Sequence, residues 1–302
     1  MNTIVEAMIS KYNPTDIKKE KNAIKEVLQE LIISALSKTD FFDKAVFCGG
    51  TSLRIVYGLN RFSEDLDFSL KTKMDFNLND YTKQITEYLK AYGINSSFEV
   101  KETKTSVASA FLKTNTLEQL IYFNADFELK GIRDTEKLKI KFEVDTNPPA
   151  GGEYESKFLT TPEAHFITIF KLESLFAGKL HAILCRFWES PLVKGRDLFD
   201  FVFYITKKVK PNLVLLKNAM VQSGHFDESK ELTIDALKEL LIRKFEIIDY
   251  ELAKRDTFPF IDNEDQLNLW GKEMFVELTK MMWFFPPNVL SILQWVNHTI
   301  II

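Results

Sequence analysis

The stretch from Phe47 to Leu70 reads FCGGTSLRIVYGLNRFSEDLDFSL. Lys44–Cys48 reads as a short strand that runs into Gly49-Gly50. Thr51–Tyr57 reads as a helix, and Asp65–Leu70 alternates polar and apolar residues as a strand does. A glycine pair can adopt backbone angles that let successive N–H groups converge on an anion. Thr51 and Ser52 can cap the helix and offer hydroxyls to a phosphate. Arg54 and Arg61 are candidate phosphate contacts, because a guanidinium binds oxyanions through two bonds. On the second strand Ser63, Asp65 and Asp67 share one face, and Leu66 and Phe68 point into the core. Carboxylates that close repel unless a cation lies between them. Magnesium binds through one or two carboxylates plus substrate phosphates. Alone, Asp-x-Asp is more often a solvated strand face; the order strand, Gly-Gly-Thr-Ser, helix, Asp-x-Asp points instead to a nucleoside triphosphate and its metal ions.

Composition bounds the rest. A chain of 302 residues is long enough for two domains. With 45% hydrophobic and 27% charged residues it reads as a soluble globular protein. The net charge of -4 argues against general, charge-driven nucleic-acid binding and leaves a local basic groove open. No membrane span or signal-peptide core is expected. Two cysteines, Cys48 and Cys185, make no disulfide framework, so a cytoplasmic location is expected. His165, His181, His225 and His298 form no ligand pattern with the cysteines, and no Gly-x-Ser-x-Gly elbow occurs.

The periodicity predicts an amphipathic helix over 15–37, and Tyr81–Tyr92 also reads as helical. Phe98–Phe111, Leu117–Leu129 and Leu138–Asp145 read as strands. On the last, Ile140, Phe142 and Val144 face one way and Lys141, Glu143 and Asp145 the other. Pro148–Gly152 is the predicted break, giving domains 1–150 and 151–302. After Pro162 the chain reads mostly as helices. On the helix from Leu172, Lys179 falls within an apolar stripe, which is costly unless the ammonium meets a phosphate or a carboxylate. Asp197 and Asp200 share a helix face next to Arg196, which Asp197 could hold. Lysines 101, 104 and 113, and 207, 208, 210 and 217, read as solvated faces before an RNA groove. The Met281–Phe285 run and Trp295 read as packing residues.

The block GGTSLRIVYGLNRFSEDLDF resembles the AbiEii group of type IV toxin–antitoxin toxins, relatives of the MenT toxins in the DNA polymerase beta-like nucleotidyltransferase superfamily. The matching positions are Gly49, Gly50, Thr51, Arg61, Ser63, Asp65, Asp67 and Phe68. A second block, LESLFAGKLHAIL followed by GRDLFDFVFY, is similar to the family's downstream motifs. The resemblance implies an α+β fold, a polymerase-beta-like mixed sheet domain followed by a mostly helical one. It implies a nucleotidyltransferase with Asp65, Asp67, Lys179 and Asp200 as catalytic residues. Gly49, Gly50, Thr51, Ser52, Arg61, Ser63 and Lys179 would bind the nucleotide. Asp65, Asp67 and a third carboxylate from the later strand, Asp145 before Glu143, would hold two magnesium ions. The implied acceptor is an RNA, by family a tRNA 3′ end, and a cognate antitoxin need not form a stable complex. A monomer is expected. A small-molecule acceptor, or a nucleotide-binding module without turnover, is the alternative.

Overall fold

The computed structural model describes residues 3–101, 105–116, 118–119, 135–187 and 189–282. Most of the expected strand Leu117–Leu129, most of the Met281–Phe285 run, Lys104, Trp295 and His298 lie outside the described residues. The described chain is mixed α and β, with a seven-stranded sheet and helices that dominate after the last strand. It divides into two compact units, Met1–Val56 with Ser63–Pro148 and Glu155–Ile169, and Tyr57–Phe62 with Pro149–Tyr154 and Phe170–Ile302.

The first unit is built on the sheet. Its strands are β1 (Ala45–Cys48), β2 (Leu66–Leu70), β3 (Ser97–Lys101), β4 (Val107–Asn115), β5 (Lys137–Asp145), β6 (Tyr154–Leu159) and β7 (His165–Phe170), in spatial order β3-β4-β5-β2-β1-β7-β6. β1 pairs antiparallel with β2 and parallel with β7, and β2 pairs parallel with β5. The region expected as one strand over Phe98–Phe111 is two, β3 and β4, paired antiparallel. Two further strands, β6 and β7, stand where no strand is expected. In β7 the apolar Ile167 and Ile169 alternate with outward residues, a period of two that outweighs Pro162 as a helix signal.

One face of the central strands is a phenylalanine layer. Phe68 stacks between Phe47, at 5.2 Å, and Phe142, at 4.9 Å, and the edge of Phe41 meets it at 4.9 Å. After the short helix α1 (Thr3–Ser10), helix α2 (Ile17–Ser37) covers hydrophobic core with Ala23, Ile24, Val27, Leu28, Leu31 and Leu36. Its start is fixed by Asp16, whose carboxylate accepts the Lys19 N–H at 2.9 Å. Because Phe68 is committed to the core, Asp67 is turned to the opposite face of the sheet.

The second unit contains helices Leu172–Cys185, Gly195–Thr206, Leu213–Gln222, Ile234–Ile247, Tyr250–Thr257 and Lys272–Met281. Its core is aromatic too: Phe176 stacks on Tyr204 at 4.4 Å, and Phe201, Phe245 and Phe275 form a second cluster. Gly195 is required where Gly195–Thr206 meets Tyr250–Thr257, since a Cβ there would run into the Ala253 carbonyl. The freed space lets the Gly195 N–H donate to Asp256, at 2.8 Å.

Candidate active site

In the first unit, the one-turn helix α3 (Phe41–Lys44) leads into β1, which ends in a glycine turn that opens helix α4 (Gly49–Tyr57). Gly49 has φ +74°, the left-handed region where side chains are strained. A Cβ there would also strike the Asp67 carboxylate. Glycine is therefore needed twice over, and the turn brings the backbone at the start of α4 directly against Asp67. Cys48 and Asp67 are cross-strand partners, so the turn and the carboxylate keep this register.

The hydroxyls next to the turn hold it together. The Thr51 hydroxyl donates to the Asp65 carbonyl and lies 2.9 Å from Ser63 Oγ. The Ser52 hydroxyl donates to the Gly49 carbonyl at 2.8 Å, and Gln29 Nε2 donates to the Ser63 carbonyl at 3.0 Å. Thr51, Ser52 and Ser63 are buried. Expected as phosphate ligands, all three engage the backbone or each other, and Thr51 ties Asp65 to α4. Gln29 was not singled out by the sequence, because it lies 34 residues before its partner. Arg54 Nε donates to Glu26 at 3.0 and 3.3 Å.

Asp65 and Asp67 are half-buried. The sheet register sets Glu143 opposite Asp67, and Asp145 one pair further along, opposite Ser69. Asp145 accepts the Asn147 N–H at 2.9 Å, and burial pushes its carboxyl above the usual range despite that bond. Glu143 pairs with Lys141 at 2.7 Å. Burial alone would lower the Lys141 pKa, but Glu143, Asp65 and Asp67 together raise it. These three carboxylates and one ammonium therefore share one field.

Among the described residues, no three His, Cys, Asp or Glu side chains are grouped closely enough to hold a metal ion by themselves. The donor set is hard oxygen from Asp65 and Asp67, beside a backbone turn cleared of any Cβ. That suits magnesium, which takes few carboxylates and completes its shell with water and substrate phosphate.

The second unit gathers the other motif residues. Arg61, 3% exposed, forks onto Asp200, 0% exposed, through Nε and Nη2 at 2.6 and 2.7 Å. Lys179 Nζ lies 2.8 Å from Asp200 and 2.7 Å from Asp197. Arg186 closes the row on Asp197 at 2.6 Å. Burial disfavours both charges, yet Arg61 and Lys179 keep the Asp200 pKa below its usual value, and Asp197 and Asp200 keep that of Lys179 above it. The anions that Lys179 needs inside its apolar stripe are thus the two aspartates. Arg196 is not held by Asp197; its guanidinium covers the Phe260 ring at 4.1 Å.

A family model described as nucleotidyl transferase AbiEii toxin, type IV TA system, matches residues 31–275. Among solved structures, the chain is similar to JHP933 from Helicobacter pylori, with 22% identity, 93% of this chain and 96% of that chain covered, and a TM-score of 0.47. It is also similar to MenT4, a nucleotidyltransferase toxin from Mycobacterium tuberculosis H37Rv, with 13% identity, 98% of each chain covered and a TM-score of 0.48. No curated protein matches the chain. No described helix is long and apolar enough to cross a membrane.

Proposed function

We propose that this chain, which belongs to the AbiEii family of nucleotidyltransferase toxins of type IV toxin–antitoxin systems, moves a nucleoside monophosphate from a triphosphate to a hydroxyl of an RNA. The observation that carries the reading is the fit of Gly49 against Asp67: the chain gives up a side chain so that backbone N–H groups and a carboxylate can converge. The turn at Gly49-Gly50 offers N–H groups at a helix start to the phosphates. Asp65 and Asp67 would hold magnesium there, its shell completed by water and substrate phosphate, and Glu143, in register with Asp67, is proposed ahead of Asp145 as a further carboxylate of the site. Magnesium held by Asp65 and Asp67 would supply charge to neutralise phosphate and stabilise the attacking and leaving oxygens. The acceptor hydroxyl oxygen bonds to the α-phosphorus as its proton passes to water, the bond to the bridging oxygen breaks, and pyrophosphate leaves with that electron pair. Thr51, Ser63 and Gln29 fix the strand that carries the aspartates, so catalysis is mainly positioning and charge.

In the second unit, three cations surround two carboxylates. Lys179, kept in place by Asp200, is that unit's proposed nucleotide-binding residue. A tRNA 3′ end is the acceptor we favour, following the family. The test mixes the protein with α-labelled ribonucleoside triphosphates, magnesium and total RNA. Label in RNA supports the proposal. Label in a small molecule moves the acceptor to that class, and label in neither product rejects transfer.

A further inference from the structure

The first unit has an open cleft of about 620 Å³ that the motif residues do not explain. Its lining includes six lysines: Lys18, Lys21 and Lys25 from α2, and Lys137, Lys139 and Lys141 from β5. Asp65 lines the same cleft. The two lysine rows come from segments more than a hundred residues apart, so neither the net charge of -4 nor any local run reveals them.

The charges are partly committed. Lys21 pairs with Glu136, Lys25 with Glu64 at 2.8 Å, and Lys141 with Glu143 at 2.7 Å. Lys18, Lys137 and Lys139 are exposed and form no ion pair among the described residues. Keeping three like charges along one cleft is unfavourable in isolation, so the arrangement suits an anion.

The dimensions choose the class of anion. Lys137, Lys139 and Lys141 alternate on one face of β5 and span about 13 Å at roughly 3.3 Å per residue. Lys18 to Lys25 spans about 10 Å at 1.5 Å per residue. Such rows exceed one phosphate group and match several phosphates along an extended strand. Phe111 of β4, the cross-strand partner of Lys141, also lines the cleft, with Lys101 Nζ 4.6 Å from its ring centre. An aromatic ring among lysines suits a base as well as a backbone.

We infer that this cleft is the track for an RNA strand, held by its phosphates without regard to sequence, with the reacting end directed to Asp65. The inference rests on the transferase reading for the role of Asp65 but not for the binding itself. Lys18→Glu, Lys137→Glu and Lys139→Glu combined should weaken binding of a fluorescein-labelled 20-nucleotide single-stranded RNA by at least about tenfold. The slope of log affinity against log salt should become shallower by about two, at roughly 0.7 per lost phosphate contact. Affinity for ATP, measured by calorimetry, should not change. The same three lysines changed to Gln should give a smaller loss in the same direction, and this variant serves if the reversals unfold the chain. The inference is overturned if the parent does not bind the RNA, if the variants bind it as the parent does, or if ATP affinity falls with RNA affinity, which would assign the lysines to the triphosphate. Lysine-dependent RNA binding without label transfer would sink the transferase reading and keep the cleft. Transfer without lysine dependence would do the reverse.

Discussion

Two aspartate pairs in this chain receive opposite treatment. Asp65 and Asp67 are two apart in and beside a strand, half-buried, with Glu143 in register beside Asp67. Lys141, bound to Glu143, is one charge that acts with them, and these four side chains sum formally to -2. Asp197 and Asp200 are three apart on a helix, buried, and bound directly by Arg61, Lys179 and Arg186, a formal sum of +1. The difference separates two uses of the same residue. A partly open, net-negative group at a glycine turn can gain a cation and a phosphate. A buried aspartate held by guanidinium and ammonium is a fixed part of the fold, because removing that carboxylate strands buried cations in low dielectric.

Four substitutions would break or sharpen that contrast. The largest effect belongs to Asp200→Asn, which leaves Arg61 buried without its fork. It should cost about 3–5 kcal/mol, read by denaturant unfolding. Because Asp200 titrates below its usual range in the folded chain, its contribution is full above about pH 4 and is lost as pH falls through the folded value. The parent should therefore lose stability in acid, and Asp200→Asn should lose less of it. Next comes Asp67→Asn, with turnover lower by about a hundredfold or more and a melting temperature near the parent's. Full turnover in that folded variant would remove Asp67 from the site. Gly49→Ala puts a side chain at positive φ and against Asp67, costing about 1–2 kcal/mol and reducing turnover. A stable, fully active Gly49→Ala would mean the close approach has no function. The smallest effect is that of Lys179→Met. Arg61 and Arg186 still partner the two aspartates, so stability should change by less than about 1 kcal/mol, while triphosphate affinity falls about tenfold, near 1.4 kcal/mol. A sharp fall in melting temperature with affinity intact would make Lys179 purely structural.

Much of the first unit's centre was legible because its signals are local. The Gly-Gly turn, the two-residue alternation of β2 and the Phe68-in, Asp67-out arrangement need only a few neighbouring residues. Glu143 and Asp145 share a face of β5, and sequence alone cannot say which lies opposite Asp67; that depends on a strand register. Arg61 stands two residues before Ser63 and reads as a phosphate ligand, yet its partner is Asp200, 139 residues on. Thr51 and Ser63 likewise read as ligands because a hydroxyl's type does not reveal whether it faces a phosphate or a carbonyl. β6 and β7 were obscured by Pro162, and the lysine cleft by the distance between its two rows.

The most direct test of the central contrast is calorimetric titration of the four ribonucleoside triphosphates, with and without magnesium, into the parent and into Asp65→Asn combined with Asp67→Asn. The account predicts that the parent binds triphosphate more tightly when magnesium is present and that the double variant, still folded, loses this gain. No binding of any triphosphate by the parent, or an equal magnesium gain in the double variant, would contradict it.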